Sequence, residues 1–212
     1  MLAIPLGGTE LIWSTGTFLY NVVAQQLGDE ALAAAQIVNN LETVFIVGSL
    51  GLMSATTALV GRSIGSGDAD GAMYWVRRVT RAGIWTGAGF GLLFAASSLL
   101  VGVLFADVGD TVQTAVMIGI LINGAFEVPK VRNMIIGAGV LPSGNDTRGV
   151  ILGDFVSAFL VGLPLAVLLG LHTRLGVIGV FVARVCEELV KMGIFGWRSG
   201  RLQWHELASA QR

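Results

Sequence analysis

Charged side chains are scarce in this sequence. Only 13% of its 212 residues are Asp, Glu, Lys or Arg, whereas 54% are hydrophobic. A soluble domain carries about twice that share of charged residues, so the composition excludes an ordinary water-soluble fold. The formal net charge is -1 and no basic tract is present, so nothing indicates a nucleic-acid partner.

Cysteine and histidine are equally rare. The single cysteine, Cys186, excludes a disulfide framework and is typical of a buried small hydrophobe. The two histidines, His172 and His205, are far apart in the chain, so the clustered ligands of a metal site are missing. No serine has a histidine or lysine partner at a suggestive depth, and no paired aspartates indicate a lipid phosphotransferase. We therefore expect no enzyme activity, no metal and no cofactor.

Glycine, by contrast, is abundant. Thirty glycines stand against four prolines, which is typical of membrane helices that pack closely through small residues. Three of them lie four residues apart on one apolar segment and predict a packing ridge: Gly83, Gly87 and Gly91.

Apolar segments long enough to cross a bilayer occur six times. About 30 Å of hydrocarbon requires roughly 20 helical residues. We place the spans near residues 4–27, 32–60, 80–105, 110–138, 148–170 and 175–197. The sequence thus predicts an all-α, polytopic membrane protein, with one lobe of six transmembrane helices at residues 1–197 and a tail at residues 198–212.

Basic residues alternate from one connection to the next. Ten of the 13 Lys and Arg residues fall in the second connection, the fourth connection and the tail, and Lys130 and Arg132 are counted with the fourth. The positive-inside rule then places both termini in the cytoplasm, in a plasma (inner) membrane. Residues 65–68, GSGD, predict a helix end followed by a new capped start, and residues 68–81 predict a short amphipathic cytoplasmic helix. Residues 141–147 predict a turn that ends in an Asp146 or Thr147 cap.

A polar stripe opens the first span. Glu10, Ser14, Thr17 and Asn21 are spaced four, three and four residues apart, which puts them on one face of a helix. A carboxylate at membrane depth is costly and normally faces a bundle interior or a watery path. The stripe could therefore bind a proton, a sodium ion or a cationic substrate, or it could form hydrogen bonds between helices.

Further embedded polar residues occur on the fourth and fifth spans. Glu127 follows Asn123 by one turn and precedes Pro129, whose missing N–H can loosen the helix. This pattern indicates either a cavity-facing site or a simple kink. Asp154 could belong to a proton path, snorkel to the interface or pair with Arg148.

The sixth span carries four charges. Glu187 and Lys191 have the favourable i, i+4 order, and Arg184 could reach Glu187 or Glu188. Because four charges cannot all pair equally, one carboxylate can remain titratable. The alternative is a buried ion-pair network that fixes helix packing.

Two loop motifs resemble those of a known family. Residues 59–68, LVGRSIGSGD, resemble the "LVGxxxGxGD" signature of the multidrug and toxic compound extrusion (MATE) transporters. Residues 139–148, GVLPSGNDTR, resemble that family's "GxLRSGGDTR" element, with Pro142 in place of Arg and Asn145 in place of Gly. Three other elements fit in order: the leading Ile4-Pro5, residues 28–36, and the final helix with its exit at residues 198–201. The match covers essentially the whole chain but only the family's C-terminal six-helix lobe.

The resemblance implies a transport mechanism. MATE transporters export organic, often cationic, compounds by alternating access, against a proton or sodium gradient. Their two lobes are related by an axis along the membrane normal, so a second six-helix lobe is expected, from a homodimer or a separate N-terminal half. The family often carries acids on the first and fourth helices of this lobe. Glu10 and Glu127 are the candidates here, although the fourth-helix acid of some relatives aligns with Val131.

Three interpretations follow from these observations. Our hypothesis is cation-coupled efflux, in which Glu10, Glu127 and either Asp154 or a sixth-helix carboxylate exchange a proton or sodium ion for a cationic solute. Burial favours the neutral form of a carboxyl group, which permits such exchange near neutral pH. A lipid or oligosaccharide-lipid flippase of the same superfamily would favour a basic cavity, whereas the embedded charge is mainly acidic. The third interpretation is a lobe or fragment that does not transport.

Overall fold

The computed structural model describes residues 3–209, and the side chains of residues 8–209. Within that range all regular structure is helical, which confirms the predicted all-α class. Its helices are α1 Ala3–Gln26, α2 Asp29–Gly65, α3 Ala69–Leu104, α4 Asp110–Ala125, α5 Glu127–Ser143, α6 Thr147–Leu171, α7 Val177–Ser199 and α8 Trp204–Ser209. The first two residues of the predicted lobe and the last three of the predicted tail lie outside the described residues.

The long helices differ in how well they suit a membrane. Among the described residues, α2, α3 and α6 are long and apolar enough to span it, and α4 with α5 makes a fourth span if the bent pair crosses as one. Helices α1 and α7, of 24 and 23 residues, have the length but are not among these candidates, because α1 is less apolar and α7 is more highly charged. Helix α7 carries four charged residues between positions 184 and 191. The count of six spans therefore stays a prediction.

The fourth predicted span is broken at Phe126. Helices α4 and α5 meet there at an angle of 55°. Pro129 has no N–H to donate to the carbonyl of Ala125, and its ring crowds that carbonyl, so the helix ends at Ala125 and restarts at Glu127. The restart leaves Asn123 and Glu127 on opposite sides of the break, and both are buried.

Two capped turns join the helices at one end of the lobe. Gly67 has a φ of 75° and Asp68 then accepts a hydrogen bond of 2.8 Å from the N–H of Gly71, which begins α3. Asn145 has a φ of 57° and Asp146 accepts from the N–H of Gly149 at 3.1 Å, which begins α6. The predicted caps are confirmed. We call this end of the lobe, with the turns at residues 66–68 and 144–146, the basic end.

Helix α3 is longer than predicted. It runs unbroken from Ala69 to Leu104, so residues 69–81 form its first turns rather than a separate helix. No proline interrupts this stretch, and the backbone hydrogen bonds continue from the capped start into the span. The amphipathic segment and the third span are thus one helix.

The interior is layered. One apolar core contains Phe94, Ile120 and Phe181, among others. A second, nearer the basic end, contains Ile135, Leu141 and Phe195. Between them lies a set of polar side chains from α1, α2, α4, α5, α6 and α7, which we call the polar tier. Its members are Tyr20, Asn39, Glu42, Asn123, Glu127, Lys130, Asn133, Asp154, Arg184, Glu187, Glu188 and Lys191.

Glycines bring α3 against the break between α4 and α5. Gly83, Gly87 and Gly91 are all buried, as the predicted ridge requires. A Cβ on Gly87 would lie 2.8 Å from the Cα of Val128, and one on Gly91 would lie 2.5 Å from the carbonyl oxygen of Gly124. This close approach seals the polar tier on its α3 side.

Candidate functional site: the polar tier

Glu127 is the isolated member of the tier. It is 0% exposed, and neither of its carboxylate oxygens has a hydrogen-bond partner among the described residues. Buried polar groups are nearly always paired, because an unpaired one keeps its desolvation cost. As the first residue of α5, Glu127 lies where the unpaired N–H groups of a helix start carry partial positive charge. The site can accept a positive charge that the protein itself does not supply.

The cation nearest in sequence is already engaged. Lys130 forms an ion pair with Glu42 on α2 and donates a hydrogen bond of 2.8 Å to the side-chain oxygen of Asn123. Asn123 in turn donates to the carbonyl of Gly119 at 2.8 Å. These contacts bridge the helix break and leave Glu127 out of the ion pair.

The position of Lys130 corrects the loop prediction. Lys130 and Arg132 were assigned to the fourth connection, but α5 continues to Ser143 and both lie within it, partly buried. Arg132 donates to the carbonyl of Met192 on α7 at 3.3 Å. No turn interrupts α5 between residues 130 and 143, so the helix continues until the turn at residues 144–146.

Helix α7 supplies the other half of the tier. The Lys191 ammonium lies 3.3 Å from Asp154, 3.4 Å from Glu187 and 3.5 Å from Glu188. We call these four residues the Lys191 cage. The predicted pairing of Glu187 with Lys191 is confirmed, and the cage joins α6 to α7.

Neighbouring helices supply donors to two of the cage carboxylates. The Tyr20 hydroxyl on α1 donates to Glu187 at 2.6 Å. The Asn133 amide on α5 donates to the Glu188 carboxylate at 2.8 Å and to its backbone carbonyl at 2.8 Å. The cage, formed by α6 and α7, therefore receives contacts from two further helices, α1 and α5.

Two ion pairs considered from the sequence do not form within the described residues. Asp154 pairs with Lys191 rather than with Arg148, which is exposed, because the side chain of Asp154 faces α7. Arg184 reaches neither Glu187 nor Glu188 in an ion pair within the described part of the chain. It donates to Asn39 on α2, and its guanidinium lies 5.7 Å from the centre of the Tyr20 ring, since that turn of α7 faces α1 and α2.

The first polar stripe lies apart from the tier. Glu10 is exposed on α1, and its neighbours Leu11 and Trp13 are 70% and 63% exposed. Along the stripe Ser14 is exposed, whereas Asn21 is half-buried. The structure thus places Asn123, Glu127, Asp154, Glu187 and Glu188 in the interior of the lobe, at more than one depth, and leaves Glu10 on its surface.

Three members of the tier were not singled out as site residues from the sequence: Tyr20, Lys130 and Asn133. A signal existed for Lys130, since residues 123, 127 and 130 are spaced four and three apart on one helical stripe. The partners of these residues lie on other helices, and spacing along one chain cannot identify them.

Long apolar helices around a buried, incompletely paired set of charges define a polytopic membrane protein of the transporter class. The MatE family profile matches residues 5–168, and the chain belongs to this family of multidrug and toxic compound extrusion transporters. The expectation that the protein is not an enzyme is confirmed, because its relatives are transporters.

Several curated relatives are similar over most of the chain. The probable multidrug resistance protein NorM of Rhodopseudomonas palustris is 32% identical over 85% of this chain and 38% of its own length. The multidrug resistance protein MdtK of Yersinia enterocolitica is 30% identical over 78% of this chain and 37% of its own. The uncharacterized transporter YisQ of Bacillus subtilis is 26% identical over 94% and 43%. The chain thus spans less than half the length of these relatives.

Solved structures share the fold. A crystal structure of MATE in the bent conformation superposes with a TM-score of 0.84 at 16% identity, covering 98% of this chain and 45% of the other. A MOP superfamily transporter from Pyrococcus furiosus gives a TM-score of 0.79 at 18% identity, over 92% and 42%. The MATE-like fold is confirmed, again over less than half of the longer proteins.

Proposed function

We propose that the protein is one lobe of a secondary active transporter, which exports organic, often cationic, compounds by proton- or sodium-coupled antiport. The observation that carries the proposal is Glu127, a fully buried carboxylate with no partner on either oxygen. A proton, a sodium ion or a cationic group of a solute could each satisfy it. Because one carboxylate can hold only one of them at a time, coupling ion and solute would displace each other, as antiport requires.

The charge of the polar tier supports a cationic solute. Its five carboxylates outnumber its three cations, and all eight are embedded: Glu42, Glu127, Asp154, Glu187 and Glu188 against Lys130, Arg184 and Lys191. A flippase for anionic lipid headgroups would need the opposite excess. We therefore place efflux of cations ahead of lipid translocation.

The surface stripe on α1 fits an entry path. Glu10 offers an exposed carboxylate, and the stripe continues through Ser14 and Thr17 to the half-buried Asn21, next to Tyr20 of the tier. A cation could follow this polar row along α1 instead of crossing apolar surface. In this proposal Glu10 and Asn21 guide the solute, and Glu127 exchanges it.

A second six-helix lobe completes the proposal. The chain spans less than half the length of its relatives, and repeat-built transporters bind their substrates between lobes. A second copy of the chain or a separate N-terminal half could supply the missing lobe. The exposed arginines at the basic end, including Arg62, Arg77, Arg78, Arg81 and Arg148, support an inner-membrane orientation with both termini in the cytoplasm.

Transport in vesicles tests the proposal. The purified protein is reconstituted, ethidium export is followed under a proton gradient and, separately, a sodium gradient, and Glu127→Gln is compared with Glu30→Gln. Glu30 is exposed in the first turn of α2 and serves as the matched control. We expect Glu127→Gln to lose gradient-driven export and Glu30→Gln to retain it. Export by Glu127→Gln at the wild-type rate, or movement of labelled lipid instead of ethidium, would contradict the proposal.

A binding measurement covers the case in which one lobe does not transport alone. Ethidium added to the detergent-solubilised chain should release protons or displace sodium, and Glu127→Gln should abolish that release while Glu30→Gln keeps it. Equal release from both variants would remove Glu127 from the mechanism, whether or not a partner lobe is present.

A further inference from the structure

The Lys191 cage has more negative than positive charge. One ammonium serves three carboxylates at 3.3, 3.4 and 3.5 Å, all longer than the roughly 2.7–2.9 Å of a charge-assisted hydrogen bond. The three carboxylates therefore share the Lys191 ammonium about equally. With all three ionised, the cage carries two uncompensated negative charges at membrane depth, which is an expensive state.

Other charged groups around the cage do not neutralise this excess. Within the described residues, each nearby cation has its own acceptor: Lys130 pairs with Glu42, Arg184 donates to Asn39, Arg132 donates to the carbonyl of Met192, and Arg198 pairs with Asp146. Arg148 on α6 and Glu10 on α1 are exposed, and Glu127 on α5 adds a further carboxyl group. Tyr20 is a neutral donor to Glu187. The surroundings thus leave the cage short of positive charge.

The donors within the cage are unevenly shared. Glu187 accepts from Tyr20 and Lys191, and Glu188 accepts from Asn133 and Lys191, whereas among the described residues the carboxylate of Asp154 contacts only Lys191. Hydrogen bonds to a carboxylate favour its charged form, so Asp154 is the member that gains a proton at the lowest cost. We propose that the Lys191 cage is a second protonation site of the lobe, separate from Glu127, and that Asp154 carries its exchangeable proton.

Asn133 places an unused hydrogen-bond acceptor beside the cage. Its residue is 3% exposed, its amide nitrogen donates into the cage, and its side-chain oxygen has no partner among the described residues. When Asp154 takes a proton, its oxygens become weaker acceptors and Lys191 is released from one of its three contacts. The free oxygen of Asn133 is an acceptor available in the same cage, either for the ammonium or for a protonated Glu188.

The two protonation sites lie at different depths. Asp154 is seven residues from the start of α6 at the basic end, about 10 Å along the helix. Glu127 is 16 residues from the end of α5 at Ser143, about 24 Å from the same end. A proton at Asp154 changes the charge of the cage from two negative to one negative and removes the ion pair by which the cage joins α6 to α7. Protonation at the cage would therefore loosen α6 from α7 without occupying Glu127.

Infrared titration of the purified chain in lipid tests this proposal, which extends the proposed proton-coupled function. After the exposed carboxyl groups have ionised, we expect two protonated-carboxyl bands to remain and to disappear as the pH is raised further. Asp154→Asn should lose one band and Glu127→Gln the other, while the exposed control Asp107→Asn retains both. Asp154→Glu keeps a titrating carboxyl group and should retain two bands with one shifted, which covers the case in which the asparagine variant folds poorly.

Each outcome separates the two proposals. Retention of both bands in Asp154→Asn, or loss of both in Glu127→Gln, would overturn the second site. Disappearance of the Asp154 band on addition of sodium at constant pH would replace the proton by a metal cation and would also overturn it. If Asp154→Asn lacks its band but Glu127→Gln exports ethidium normally, the second site stands and the proposed role of Glu127 falls.

Discussion

Glu10 and Glu127 are two carboxylates on apolar helices that end in opposite surroundings. Glu10 lies on the outer surface of α1 beside exposed apolar side chains, whereas Glu127 is 0% exposed at the break between α4 and α5. Glu10 belongs to a surface stripe that becomes half-buried at Asn21, and Glu127 belongs to an interior tier in which the other carboxylates have partners.

The difference shows what makes a membrane carboxylate costly. The position of a carboxylate along its helix does not by itself set this energetic cost, because Glu10 can remain solvated or face a partner lobe. Enclosure decides it: Glu127 is covered by α3 through the glycine ridge, and the nearby Lys130 is held by Glu42. A buried carboxylate without a partner must stay neutral or bind a cation.

Separating Lys130 from Glu42 should have the largest effect on stability. Lys130→Met leaves Glu42, which is 3% exposed, as an unpaired buried charge. We expect a loss of about 3–5 kcal/mol in the free energy of unfolding, measured by denaturation in detergent. The double variant Glu42→Gln/Lys130→Met should recover most of that loss, and a double variant as unstable as Lys130→Met would contradict the ion pair.

Replacing Gly87 in the glycine ridge should separate α3 from α5 and expose position 127 to solvent, as Glu10 already is. A side chain at Gly87 would meet the backbone of Val128, so Gly87→Leu should cost about 1–3 kcal/mol by overpacking. A cysteine at position 127, in a Cys186→Ser background, should become reactive to a thiol reagent only when Gly87 is also replaced.

The matched control for this variant is Gly89→Leu. Gly89 is exposed and a Cβ there has nothing within 4 Å, so this replacement should leave both stability and labelling unchanged. Equal effects at positions 87 and 89 would show that the close approach of α3 does not enclose the site.

Removing each carboxylate separately should give the smallest but most direct contrast. Glu127→Met deletes an unpartnered buried group and should stabilise the lobe by about 1–3 kcal/mol. Glu10→Met deletes an exposed group and should change stability by no more than about 0.5 kcal/mol. Unfolding free energies of the two variants measure the difference, and destabilisation by Glu127→Met would mean that the carboxylate has a partner.

Much of the fold was accessible from sequence patterns. The helix break near Pro129 follows from the missing N–H, and the turns at Asp68 and Asp146 follow from their capping residues. The Glu187–Lys191 contact follows from i, i+4 spacing on one helix. Each of these features depends on residues close together in the chain, so local geometry is enough to predict it.

Contacts between helices were not accessible in the same way. Lys130 pairs with Glu42, 88 residues away, and Tyr20 donates to Glu187, 167 residues away. Helical periodicity gives the face on which a side chain lies, but it does not give the neighbour that this face meets. For the same reason Arg148 and Arg184 were assigned partners that the packing did not provide.

Apolar composition, helical spacing and loop motifs were sufficient by themselves to determine an all-α membrane protein of the MATE family, with carboxylates on its helices. Only the tertiary structure decided which of those carboxylates are enclosed and which have partners: Glu10 outside, Glu127 alone, and Asp154 sharing one lysine with Glu187 and Glu188. The reason is physical. The cost of a buried charge depends on the groups that packing brings within a few ångströms of it, and those groups come from distant parts of the chain.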